Sequence, residues 1–187
     1  MNILKSVKFS KKFFLPFIIL AWLVALGTSC ENQKVKIPVK NLTFEFDDIK
    51  VDEATKDVLN SFNVTQVINL STLKGLSEDA LKYKSKVTVV ETGTTSITIY
   101  SVDDVGTIVK EFVLHTSGVG TFNVPHYDLG TPHIDNVQDY AANLLLKLML
   151  NNTATVNISG KTDIPSGKNL RVAITLEDVT LFANILN

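Results

Sequence analysis

Cys30 is the only cysteine in the 187-residue chain. A lone thiol cannot close an internal disulfide or build a cysteine-held zinc site, which leaves nucleophilic attachment as its chemistry. A second group of reactive side chains sits at 126–135, just after Pro125, with His126, Tyr127, Asp128, His133 and Asp135 around Gly130 and Pro132. Imidazoles and carboxylates suit zinc or a similar ion. Their spacing matches no metal motif, so His126, Asp128 and His133 are metal candidates by residue type alone. A turn before a capped helix is the stronger expectation for this loop, with Tyr127 as a ligand-contacting residue. His115 follows a strand pattern, and its distance from the loop is open. Asp47, Asp48, Asp52 and Glu53 offer oxygens for calcium but lack the EF-hand spacing and its glycine. No G-x-S-x-G, H-E-x-x-H or phosphate-cradling glycine loop is present. The expectation is therefore a non-enzymatic protein without a cofactor.

The surroundings of Cys30 give its thiol a purpose. Lys5, Lys8, Lys11 and Lys12 precede an uncharged apolar run of 14 residues, Phe13 to Leu26, and Gly27-Thr28-Ser29 lead into the cysteine. The run is shorter than the roughly 20 residues of a bilayer-spanning helix, and Pro16 interrupts it early. A basic n-region, a short h-region and a small-residue junction form a secretory signal peptide. With the cysteine at the junction, the stretch resembles a bacterial lipoprotein signal, with Gly27-Thr28-Ser29-Cys30 as a relaxed lipobox. The resemblance covers this segment alone. It implies cleavage of residues 1–29, acylation of the Cys30 sulfur and attachment to a Gram-negative cell envelope. Glu31, where an aspartate would imply inner-membrane retention, points to the outer membrane. Each buried methylene contributes about 0.8 kcal/mol, so two or three acyl chains hold a protein durably.

Cleavage leaves 158 residues with 14 basic and 19 acidic side chains. That length suits one domain able to bury a core without a staple. The acidic balance argues against nucleic acid and against polybasic attachment to anionic lipid, so the acyl group is the expected anchor. Residues 30–39 read as the lipidated cysteine and a tether of roughly 25–30 Å. Val35 and Ile37 offer an edge strand as the alternative.

From residue 40 onward the chain reads as a single β-sandwich domain. Leu42, Phe44 and Phe46 alternate, then Ile49 and Val51 resume on the odd positions, which predicts a bulge at Asp47-Asp48. Asp52–Ser61 reads as a short helix with Val58, Leu59 and Phe62 inward, and Ser77 as the cap of another. Turn signals at Gly93 and at Asp103-Asp104-Val105-Gly106 predict hairpins among strands from 85 to 124. Thr88, Thr94, Thr95, Thr98 and Thr107 suit wet sheet faces. Asp135 with Gln138 reads as a capping box opening a helix over 135–150, closed by Asn151-Asn152. Three strands finish the chain. The fold expected is mainly β: an antiparallel sandwich of roughly 8–10 strands with one substantial helix closing an end or edge.

That helix is apolar around most of its girth, and Leu146, Met149 and Leu150 lie off its main inner stripe. It is either packed between sheet and loop, or it lines a groove for a lipid or partner. The leading functional expectation is a lipid-anchored envelope protein acting in binding or assembly, with an envelope protein, a glycan or lipid as partner. The alternatives are a carrier of an apolar ligand around helix 135–150 and a metal-dependent enzyme using the 126–135 loop.

Overall fold

The computed structural model describes residues 34–54 and 58–185. Cys30 and the signal-like segment lie outside the described residues. The fold is a mainly β antiparallel sandwich with one substantial helix.

Among the described residues, ten strands form three antiparallel sheets: β1 (Lys34–Pro38), β10 (Thr180–Asn184) and β4 (Val87–Glu91); β2 (Leu42–Lys50), β9 (Asn169–Leu176) and β5 (Thr95–Ser101); and β3 (Asn60–Asn69), β8 (Thr153–Thr162), β6 (Ile108–Thr116) and β7 (Gly120–Asp128). The first two sheets are arms of one bent sheet. β1 runs into β2, β4 into β5 and β9 into β10, and both arms keep the same strand order. The bend is bonded across: the Val39 N–H donates to the Val179 carbonyl at 2.7 Å, Gly93 to Glu177 at 2.8 Å and Glu177 to Thr94 at 2.9 Å. Gly93 therefore marks a bend that changes sheets, not a hairpin. The same correction applies at Asp103–Gly106, where the chain crosses from β5 to β6 in the four-stranded sheet. Local turn residues are common to both arrangements, and only distant partners such as Glu177 separate them.

The short arm also revises the tether. Lys34 pairs with Asn184 and Ile37 with Leu181, so the edge-strand reading of Val35 and Ile37 is the one the structure takes. Only Glu31, Asn32 and Gln33 remain between Cys30 and the sheet.

Burial follows alternation closely. Leu42, Phe44, Phe46, Ile49 and Val51 are all buried, and the register against β9 shifts between Phe46 and Ile49, with Asp48 left-handed at φ 55°. The bulge expected at Asp47-Asp48 lets both halves of β2 face the core. A second bulge, in β6, was not anticipated. Glu111 has φ 52°, and the register against β8 shifts between Lys110 and Val113. Consequently Val109 is buried as well as Phe112 and Leu114, although strict alternation from Phe112 would turn Val109 outward. No helix forms at the described positions of 52–61. Asp52 instead pairs with Ser61, Phe62 is buried within β3, and Val58 is fully exposed. Thr95 is buried on the inward face of β5 with Ile97 and Ile99, and Thr98 is buried on the opposite face, where Tyr100 is exposed.

Among the described residues two α-helices lie between strands. α1 (Glu78–Lys82) is capped by Ser77, whose Oγ accepts the Ala80 N–H at 3.2 Å. α2 (Val137–Asn151) starts without the expected capping box. Asn136 is left-handed at φ 57° and Gln138 donates instead to the Thr92 carbonyl at 2.9 Å. Asn152, also left-handed, closes α2 by donating its N–H to Leu148. α2 lies deeper than an end cap, touching β4, β5 and β9 on one side and β7 and β8 on the other. Among the described residues no helix is long and apolar enough to cross a membrane.

Candidate functional site

The 126–135 stretch is divided by β7. The bulge at Glu111 shifts the phase of both hairpin strands, so Val124 and Tyr127 face inward while Pro125 and His126 are both exposed. His126 places Nε2 3.3 Å from an Asp128 oxygen, and both side chains are largely in water. The His133 ring sits inside, its centroid 6.4 Å from that of Tyr127 and 6.2 Å from that of Phe122. His126 and His133 thus occupy opposite sides of the strand and cannot share an ion. His115 lies at the far end of the hairpin, with Nδ1 2.9 Å from Thr121 Oγ1. Among the described residues no group of three histidine, cysteine, aspartate or glutamate side chains is placed to hold a metal.

Tyr127 and Met149 cannot serve as partner-surface residues, because their side chains are only 3% and 1% exposed. The Tyr127 hydroxyl accepts the Ile99 N–H at 3.0 Å and lies against the Ile97 carbonyl at 3.2 Å and the Thr131 carbonyl. Burial pushes the phenol up from its ordinary value, against the lowering effect of the Ile99 N–H. His133 completes the closure by exchanging two backbone bonds of 2.9 Å with Ile97. The 127–133 loop is therefore a seal along the edge of β5, which explains its polar residues structurally.

The apolar girth of α2 is likewise accounted for by packing. Val137, Tyr140, Ala141, Leu144, Leu145, Leu148 and Met149 are buried and Leu146 packs against the core, so only Leu150, at 52%, is exposed. Tyr140 joins Thr116 hydroxyl to hydroxyl at 2.9 Å, and burial raises its phenol to about 12. The clefts lie elsewhere. A slot of about 210 Å³ opens between Thr43, Glu45, Asp47 and Ile68, Leu73, Lys74. A shallower hollow of about 640 Å³ follows the bend at Pro38, Val39, Lys40, Asn41, Gly75 and Asp178. Neither is lined by α2 or by a histidine.

One constellation escaped the reading by motif. Lys34 and Lys36 on β1 and Lys84 and Lys86, just before β4, are brought to the free end of the short arm. The alternating K-x-K spacing of each pair was the available signal, but net charge concealed it.

Fold and surface together define an antiparallel β-sandwich around a buried helix. Compared with family models, curated proteins and solved structures, the chain finds no match.

Proposed function

We propose that this protein is a lipid-anchored lipoprotein of the Gram-negative cell envelope, held in the outer membrane by acyl chains on Cys30, with a non-enzymatic domain acting in binding or assembly. One observation carries the reading: the only thiol of the chain stands directly after a lysine-rich, then apolar, then small-residue stretch. Thioether formation needs a sulfur nucleophile, and the sequence supplies one at that junction alone. Two features of the domain support it. Lys34, already paired in the sheet, follows Cys30 by four residues, a span of at most about 14 Å between their Cα atoms. Tyr127, the His133 backbone and the apolar face of α2 are engaged in closing and filling the fold, leaving the outer surfaces for partners.

The carrier reading would need α2 to line an open groove, and its inner face is occupied by the protein's own side chains. A metal enzyme would need His126 and His133 to converge, and they face opposite ways. Fractionation tests the anchor: the wild-type protein is expected in the membrane pellet, and Cys30→Ala in the soluble periplasmic fraction with no incorporated fatty-acid label. Retention of label on Cys30→Ala would sink the reading.

A further inference from the structure

We propose that the free end of the short arm is a bilayer-facing surface that takes anionic phospholipid headgroups. The register brings its cations together. Lys34 pairs with Asn184, and Val87 with Ala183, so the chain entering β4 through Lys84 and Lys86 meets the same end of the sheet as the start of β1. The turn Lys84–Lys86 also touches β10. Neighbouring strands lie about 4.8 Å apart, which sets the Lys34 and Lys86 backbones about 10 Å from each other.

The outer face next to these cations is partly apolar. Lys36, Phe182 and Val89 lie side by side across the three strands and so share one face. The Lys36 ammonium stands 5.6 Å from the centre of the Phe182 ring, and Val89 is 40% exposed. Cations interleaved with exposed apolar side chains match a headgroup layer, which offers phosphate at the surface and acyl chain beneath. Among the described residues none of the four lysines enters an ion pair. Lys84 donates to Asn152 Oδ1 at 2.5 Å, which leaves two of its three donors. Glu91, beside Thr180, closes the face toward the bend.

Charge and chain length select the bilayer as the occupant. Without these four lysines, the chain from Cys30 onward carries 10 basic and 19 acidic residues. An anionic membrane therefore attracts this end and repels the remainder. This surface is also where the chain departs toward Cys30, four residues before Lys34. The orientation in cells rests on the lipoprotein reading, whereas the headgroup affinity does not.

The test uses the chain from residue 30 with Cys30→Ser, which cannot be acylated, and two sets of vesicles. One set is phosphatidylcholine alone; the other contains about a quarter phosphatidylglycerol. Co-sedimentation is expected on the anionic vesicles only, and salt near 0.5 M abolishes it as the Debye length contracts to a few ångströms, about 4 Å. Each Lys→Gln change at 34, 36, 84 or 86 weakens binding about fivefold, and all four together by about a hundredfold or more. Lys50→Gln and Lys110→Gln, remote from this end, leave it unchanged. Equal binding to both vesicles, or full binding by the four-lysine variant with an unchanged circular dichroism spectrum, overturns the proposal. Vesicle binding with Cys30 unacylated in cells would remove the anchor reading and leave this surface standing. Acylation without a preference for anionic vesicles would do the reverse.

Discussion

At the scale of single residues, Asp163 ties the crossing from β5 to β6 with one carboxylate. It accepts from the Thr107 N–H at 2.9 Å, the Thr107 hydroxyl at 2.7 Å and the Ile108 N–H at 3.0 Å. Burial alone would raise its pKa, but these bonds outweigh burial and hold it below the ordinary 3.8. The ionised form is thus the bonded form. Its contribution is present above the unfolded-state value and lost as pH falls through the lower folded-state value. Because the carboxylate is mostly exposed, Asp163→Asn is expected to cost only about 1 kcal/mol at pH 7. Urea melts should show that difference at pH 7 and lose it near pH 2. Tyr140 behaves in the opposite sense. Its phenol, raised by burial to about 12, keeps its proton when the unfolded chain has lost it. Stability therefore falls as pH rises from about 10 to 12, by about 3 kcal/mol at most. Tyr140→Phe should flatten that alkaline loss in matched urea melts at pH 9 and 12.

At the scale of elements, packing decides what each stretch does. Leu145 is fully buried and Leu150 half in water, though both extend the apolar girth of α2. Leu145→Ala should cost about 2–5 kcal/mol and Leu150→Ala under about 1 kcal/mol, measured by denaturant unfolding. Equal losses would mean that the outer side of α2 is also covered. Gly160 on β8 gives a sharper case. A Cβ there would lie 2.6 Å from the Phe62 ring and 3.2 Å from the Lys110 carbonyl, beside the Glu111 bulge. Gly160→Ala is expected to destabilise by about 1–3 kcal/mol in the same measurement, and Phe62→Leu in that background should recover part of the loss.

These elements also show what the sequence could disclose. The alternation of Leu42, Phe44, Phe46, Ile49 and Val51 revealed β2 together with its bulge, since a phase change within one strand is written in that strand. The stripe from Val137 to Leu148 revealed α2 and its buried face. Strand partners were not legible at Gly93 or Asp103–Gly106, because a hairpin and a change of sheet use the same turn residues. The facing of His126 and His133 was hidden for a related reason. For His126 it follows from the left-handed Glu111 on the neighbouring strand, and for His133 from backbone pairing with Ile97, which also lies outside 126–135. The Asp135–Gln138 capping pattern was present as letters only; the Thr92 carbonyl took Gln138 and left Asn136 to turn the chain.

At the scale of the whole molecule, the distribution of charge says more than its sum. An excess of acidic residues in the chain after Ser29 argued against contact with anionic lipid, yet the strand order collects four lysines at one end. Lys34–Pro38 pairs with β10, and Lys34 follows Cys30 by four residues along the chain. The proposed anchor at Cys30 and the proposed basic headgroup surface are thus neighbours along the chain.

Mass spectrometry of the amino-terminal peptide from membrane-extracted protein tests the central claim most directly. The account predicts that Cys30 is the first residue and that its sulfur carries a diacylglyceryl group, with residues 1–29 gone. A free Cys30 thiol within a longer chain, or an amino terminus at another residue, would contradict it.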